Sequence, residues 1–374
     1  MYWRLITDDC VSASFGLAAD EALAKRVGLT LSQPTLRLYT YQSYCALVGR
    51  FQNVENEIRV GYCQENGITI NRRPTGGGAI IMGVDQLGVT LTIPARNEDS
   101  YSHARELMST FSEGLVCGLN QLGVQASFRR KNDIEVKGKK LVGLGIYCAP
   151  SGGLLFHASL LVDLDIALML RVLNTPFEKL SDKEIATIAE RITTVHRETN
   201  SQIDLDDVRT EIARGFVSSL NVELMRGQFT SDELEAISVL EEDKYLRDDW
   251  VYQKSAVADT FGSSKIKTPS GLLDVRVTMA GPTIKAAFIG GDFFAAENAV
   301  ADLEAALRWH TNQPDKIADT IKQIFQNRSS EFNGIQPELL VEAVQKAVSR
   351  AHIAESQMRT DPYGCYVNPG DQYV

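Results

Sequence analysis

At 374 residues the chain is too long for one small domain, and its length predicts two or three, with residues enough to bury sizeable cores unaided. Hydrophobic residues make up 44% and charged residues 23%, an ordinary globular composition, and no apolar run approaches the roughly 20 residues of a spanning helix. A net charge of −10 without a long basic tract argues against nucleic acid, and six scattered cysteines without a C-x-x-C pair argue against a zinc or dithiol site.

The first residues, Met1 to Asp8, lack the apolar core of a signal peptide, so a soluble, cytoplasmic protein is expected. A helix is predicted over 12–27, capped by Ser12 or Ser14, followed by strands at 35–39, 44–49 and 68–70. Beyond a glycine loop, 79–82 reads as a buried strand and 88–93 as an alternating one. A helix over 102–122 ends at Gly123, and strands follow at 133–136, 140–146 and 154–161. Helices are predicted at 166–173, 182–191, 205–220 and 231–245. The acidic stretch from Glu241 to Asp249 is the expected boundary, dividing 1–248 from 249–374. There the pattern restarts with a hairpin, 272–279 and 283–289 around Ala280-Gly281-Pro282, then helices at 296–309, 315–325 and 337–352. Strands and helices in this order predict an α+β protein.

Three stretches carry chemistry. Asn71 to Ala79 reads Asn-Arg-Arg-Pro-Thr-Gly-Gly-Gly-Ala at the end of a short strand. Adjacent glycines bring backbone N–H groups close to a ligand as an anion nest, and arginine forks match phosphate or carboxylate oxygens. The same residues also suit a plain glycine turn with solvated arginines. Lys131 to Gly143 suits a charged hairpin with Lys137-Gly138 at its tip. Leu155 to Leu161 is a buried-looking strand with one histidine, His157.

In this order and spacing the three stretches resemble the lipoate–protein ligase family, within the biotin and lipoate ligase fold. The family pattern Arg-Arg-x-Ser-Gly-Gly-Gly-Ala falls on Arg72 to Ala79, Asn-Asp-Ile-x-x-x-Gly-x-Lys-x-x-Gly on Asn132 to Gly143, and His-His-Gly-Thr-Leu-Leu on Phe156 to Leu161. Lys265 to Leu272 and Gly290 to Phe294 resemble the accessory domain of bacterial ligases. The resemblance implies a mixed-sheet catalytic domain at 1–248, an accessory domain at 249–374, and joining of lipoate to AMP from ATP with Mg²⁺. A carrier lysine then attacks the lipoyl-AMP.

On this reading Lys140 is the essential lysine, at the acyl carboxylate and α-phosphate. Gly76, Gly77 and Gly78, with Ala79, cradle the adenylate, while Arg73 and Arg72 bind the carboxylate or phosphate side. Thr75 keeps the hydroxyl of the usual serine. Asn132 and Asp133 approach the nucleotide, and Asp133 is a candidate Mg²⁺ ligand. Gly143, His157 and Ser159 complete the binding set. Leu47, Val48, Leu141 and Leu154 are expected walls for the acyl tail. The implied partner is the lipoyl domain of a 2-oxoacid dehydrogenase, the glycine-cleavage carrier or a related small lipoyl carrier. Neither nucleic acid nor membrane is expected as a partner, and the protein is expected to be monomeric. The resemblance further implies that the C-terminal domain reorients after adenylation.

The sequence departs from the family at Met82-Gly83, where a histidine–aspartate pair is usual, at Val142 for a serine, and at Phe156 for the first histidine. These changes are expected to strip polar groups from the acyl and phosphate sites. The rivals are an octanoyl- or lipoyltransferase of the same fold, working through a cysteine thioester, and a non-catalytic carrier-binding protein. The transferase nucleophile precedes the lysine motif, and Gln125 to Asp133 contains none. Cys148, beyond Lys140, has no neighbour that marks it as an activated thiol.

Overall fold

The computed structural model describes residues 2–95, 104–129, 132–174, 191–253, 262–280 and 282–360. The predicted helix at 182–191, except for Arg191, lies outside these residues, as do Arg130, Lys131 and Cys365. The chain divides into two compact units, Met1–Gln253 and Lys254–Val374. The short helix Asp248–Val251 therefore falls within the first unit, beyond the sequence-based boundary at 248.

The first unit is built on eight strands: β1 (Tyr2–Val11), β2 (Thr35–Tyr41), β6 (Gln86–Pro94), β7 (Ser127–Arg129), β8 (Asp133–Val136), β9 (Lys139–Cys148), β10 (Gly153–Leu161) and β11 (Glu223–Arg226). They lie in the order β11-β1-β2-β6-β10-β9-β8-β7. The outer pairs β11/β1 and β1/β2 are parallel and the remainder antiparallel, so the sheet is mixed. A second, three-stranded sheet runs β4-β3-β5, from β3 (Cys45–Val48), β4 (Thr69–Arg72) and β5 (Ile80–Met82). The glycine loop joins β4 to β5.

Ser12 caps the Ala13–Gly28 helix through the Phe15 N–H, and Leu17, Ala18, Ala22, Leu23 and Val27 are buried beneath it. This helix sends Asp20 to Thr90 on β6 and so covers one face of the large sheet. The opposite face carries the Ala104–Gln121 helix, whose Phe111 ring lies 5.5 Å from Phe156 of β10. That helix packs on Leu205–Leu220. A Cβ at Gly215 would lie 2.2 Å from the Gly114 carbonyl oxygen, so the crossing requires a bare backbone.

The second unit is an antiparallel sheet in the order β12-β13-β14-β15, from β12 (Gly262–Thr268), β13 (Gly271–Ala280), β14 (Thr283–Gly291) and β15 (His310–Thr311). Leu273, Val275 and Val277 alternate inward along β13. They share a core with Leu303, Ile321, Val344 and Ala347 from the helices Glu297–Leu307, Pro314–Arg328 and Pro337–Thr360.

Candidate active site

Partners across a sheet share a face, and alternate residues of a strand point to opposite faces. Asp133 pairs with Gly143, Gly143 with Ser159, Ser159 with Gly88, and Gly88 with Tyr39, forming one row. Two residues along, Gly145, His157 and Thr90 form a second row on the same face. The glycines in these rows leave hollows that larger neighbours fill. The Tyr39 ring lies over Gly88, the Lys140 chain over Gly143 and the His157 ring over Gly145.

Simple alternation would put Lys140 on the other face from Gly143. A bulge prevents this: Ile134 pairs with Val142 but Glu135 pairs with Lys140, so Leu141 is the extra residue. A bulge re-aims the side chains beyond it, and here it turns Lys140 onto the face of Gly143. Lys140 Nζ lies 2.6 Å from Asp133 Oδ1, with the lysine side chain 37% exposed. The Lys140 backbone is held in addition by Arg191 O and the Thr193 N–H, which fixes the stem of an otherwise mobile side chain.

The glycine loop faces this floor. Gly76, Gly77, Gly78 and Ala79 line a cleft with Arg73, Asn132, Lys140, Gly143, His157 and Ser159. Gly77 has φ +96°, and its carbonyl oxygen approaches within 2.0 Å of where a Cβ on Gly49 would stand. A side chain at Gly78 would meet open space, leaving the backbone bare toward the cleft. Thr75 Oγ1 lies 2.9 Å from His157 Nε2. Burial, reinforced by the Arg73 charge, holds His157 down to about 3, so its ring is neutral at physiological pH.

The two arginines have different places. Arg73 lines the cleft and donates to the carbonyls of Leu47, Gly76 and Gly78, bracing the loop from within. Arg72, expected at the ligand, lies outside the cleft lining, and among the described residues its guanidinium donates to the backbone carbonyls of Gly49, Arg50, Gln52, Trp250 and Val251. Burial depresses Arg72 to about 9 and Arg73 to about 10, which leaves both cationic at neutral pH.

The apolar wall also differs from expectation. Leu47 lines the cleft, but Val48 packs behind β3 with Val54 and Ile70, while Leu141 and Leu154 are buried away from the lining. Leu17, Tyr39, Tyr41, Ile80 and Met82 supply the wall instead. Val142 and Phe156 sit one residue from Gly143 and His157 and therefore face the back of the sheet. Phe156 there meets Phe111. The expectation that these two residues strip polar groups from the pocket is thus overturned. Of Met82, Gly83, Val142 and Phe156, Met82 is the one that lines the cleft. Gly83 lies against the Tyr44 ring, where a Cβ would come within 2.5 Å, and Tyr44 donates to Asp85.

Beneath the wall is a buried polar cluster that alternation along single strands does not reveal. Asp20 accepts from Arg37, Tyr39 and Thr90, and Arg37 also binds Asp8. Burial raises the Asp20 carboxyl above its usual range against the pull of Arg37. The signal available in sequence was two adjacent acidic residues, Asp20-Glu21, amid the apolar face of a helix.

A Mg²⁺ that arrives on nucleotide phosphates requires only one or two protein carboxylates. Asp133 offers one, already against Lys140, and among the described residues no group of three His, Cys, Asp or Glu gathers to hold an ion alone. The residues fit a phosphate-borne ion better than a resident one. None of the described cysteines, Cys10, Cys45, Cys63, Cys117 and Cys148, lines the cleft. Burial pushes the Cys45 thiol up, and Cys148 sits half-buried opposite Leu154.

Residues 12–217 match the family model of the lipoyl protein ligase A/B catalytic domain. The octanoyltransferase LipM of Kyrpidia tusciae is 30% identical over 278 residues, spanning 67% of this chain and 99% of that protein. The lipoate-protein ligase LplJ of Bacillus subtilis is 27% identical over 309 residues, spanning 82% of this chain and 90% of its own. Among solved structures, the bipartite lipoate protein ligase of Thermoplasma acidophilum, studied with its E2 lipoyl domain, superposes with a TM-score of 0.61 at 28% identity. It covers 69% of this chain and 100% of its own.

Proposed function

This chain belongs to the lipoyl protein ligase A/B family, and we propose that within it the protein is an ATP-dependent lipoate–protein ligase. It would activate lipoate to lipoyl-AMP and pass the acyl group to a lysine of a small lipoyl carrier. One observation carries the reading. A fixed ammonium, Lys140, stands at a cleft roofed by bare glycine backbone, and no described cysteine lines that cleft.

Carboxylate and triphosphate repel one another, so adenylation requires cations and aimed N–H donors where charge accumulates. Lys140 is suited to neutralise the carboxylate and α-phosphate, with its bulged strand limiting the freedom that would otherwise be lost. The glycine loop can bring its backbone to the adenylate, while Leu17, Tyr41, Leu47 and Met82 give the acyl chain an apolar wall. His157, neutral and beside Thr75, can hydrogen-bond without adding charge. Mg²⁺ would offset phosphate charge, with Asp133, against Lys140, as a candidate carboxylate ligand.

The likeness to LipM favours a second reading, octanoyl transfer through a protein thioester. That reading needs a nucleophilic thiol, and Cys148 is the candidate the sequence offers. Pyrophosphate release with ATP, Mg²⁺ and lipoate separates the two. Wild type is expected to release it, and Lys140→Ala to lose about 10²–10³-fold in rate. A wild-type enzyme that releases none, yet moves octanoyl groups between carriers without ATP, is a transferase.

A further inference from the structure

We propose that Arg72 is a positioning residue that ties the glycine loop to a strap formed by residues 245–251, so that this strap sets the loop's binding geometry. This rests on the glycine loop being the acyl-adenylate cradle.

Arg72 stands at the end of β4, immediately before the loop. Its Nε donates to Trp250 O at 3.0 Å and its Nη2 to Val251 O at 3.1 Å. The Trp250 indole returns a bond to Arg72 O at 3.1 Å, and Asn71 Nδ2 reaches Tyr245 O at 2.9 Å. From its other side, Arg72 Nη1 gathers the carbonyls of Gly49, Arg50 and Gln52. That turn touches the loop itself: the Arg50 N–H donates to Thr75 O at 2.9 Å, and Gly49 backs onto Gly77. Strap, guanidinium, turn and loop thus form one continuous set of contacts.

The strap is anchored at its far end. Lys244 Nζ binds both Glu21 carboxylate oxygens and stands 3.9 Å over the Trp250 ring. Tyr245 donates its hydroxyl to the same carboxylate. Glu21 belongs to the helix that contributes Leu17 to the cleft. A guanidinium is the side chain able to serve carbonyls on two sides at once, since its donors are fixed in a planar fork, whereas a lysine ammonium is a point.

The test compares Arg72→Lys with Trp250→Phe, which keeps an aromatic ring but removes the indole donor together with part of its packing surface. The second variant covers the case in which loss of a buried arginine unfolds the unit. Hydrogen exchange followed by mass spectrometry should show faster exchange at 71–79 in both variants, with the large sheet unchanged. In transfer from preformed lipoyl-AMP, KM should rise about 10-fold or more for Arg72→Lys while kcat stays within about twofold. A purely structural role would lower the active fraction, and so kcat, at constant KM. Unchanged exchange at 71–79, or faster exchange throughout the unit, overturns the proposal whatever acyl donor the enzyme uses. Absence of transfer from lipoyl-AMP in wild type counts instead against the ligase reading, and the exchange result still decides the clasp.

Discussion

His157 and Thr75 show how a polar pair can be held without charge beside the buried Arg73 guanidinium. The His157 ring titrates near 3 rather than 6.5, so an unfolded chain takes up the proton first as pH falls. The stabilisation from the neutral ring is complete above about pH 6.5 and is lost progressively toward pH 3, at up to about 1.4 kcal/mol per unit. Thermal melts from pH 7 to pH 4 should therefore fall more steeply in wild type than in His157→Gln. Parallel slopes would mean that the ring protonates freely in the folded protein. At this scale sequence reading was uneven. Lys140, Asn132, Gly143, His157, Ser159 and the glycines, which the family resemblance groups as a binding set, line one cleft. The sequence puts Arg72 beside the loop but does not show where its five donors end up. Val142 and Phe156 were misassigned although strand parity, available from the sequence, puts each on the face opposite its neighbour.

Among elements, the β8–β9 hairpin matters most, because its bulge decides which way Lys140 points. A Cβ on Gly143 would lie 3.2 Å from Lys140 Nζ and 3.1 Å from Ser159 Oγ. Gly143→Val should push the ammonium aside and lower activity about 10- to 100-fold. Its circular dichroism melt should stay close to wild type, since the displaced groups face the cleft. Full activity in this variant would show that the lysine tolerates displacement. The hairpin was legible as charged strands around Lys137-Gly138, but the bulge was not. A register shift depends on pairing across strands, and no residue type within 133–143 signals it. The cleft wall was hidden for the same reason. Leu17, Tyr39 and Met82 are separated in sequence and meet only when the helix and the two sheets assemble.

For the whole molecule, the division after Gln253 leaves Trp250 and Val251 with the first unit, where they hold Arg72. The acidic stretch at 241–249 precedes the division, and composition does not reveal that Tyr245 within it is bonded to β4. Two truncations should consequently behave differently. A chain ending at 253 keeps the clasp and should transfer acyl groups from preformed lipoyl-AMP, with adenylation impaired by loss of the C-terminal unit. One ending at 248 lacks both carbonyl acceptors and should also lose affinity for lipoyl-AMP. Equal KM values for the two fragments would separate the clasp from the loop.

On this reading Lys140 and the glycine loop form and use an acyl-adenylate without a cysteine. Cys148→Ser, incubated with ATP, Mg²⁺, lipoate and a panel of lipoyl carriers, tests it most directly when the carriers are weighed by mass spectrometry. A carrier that gains a lipoyl group at the wild-type rate, and only with ATP present, is the predicted result. A carrier left unmodified by Cys148→Ser but acylated by wild type from an octanoyl donor without ATP would contradict it.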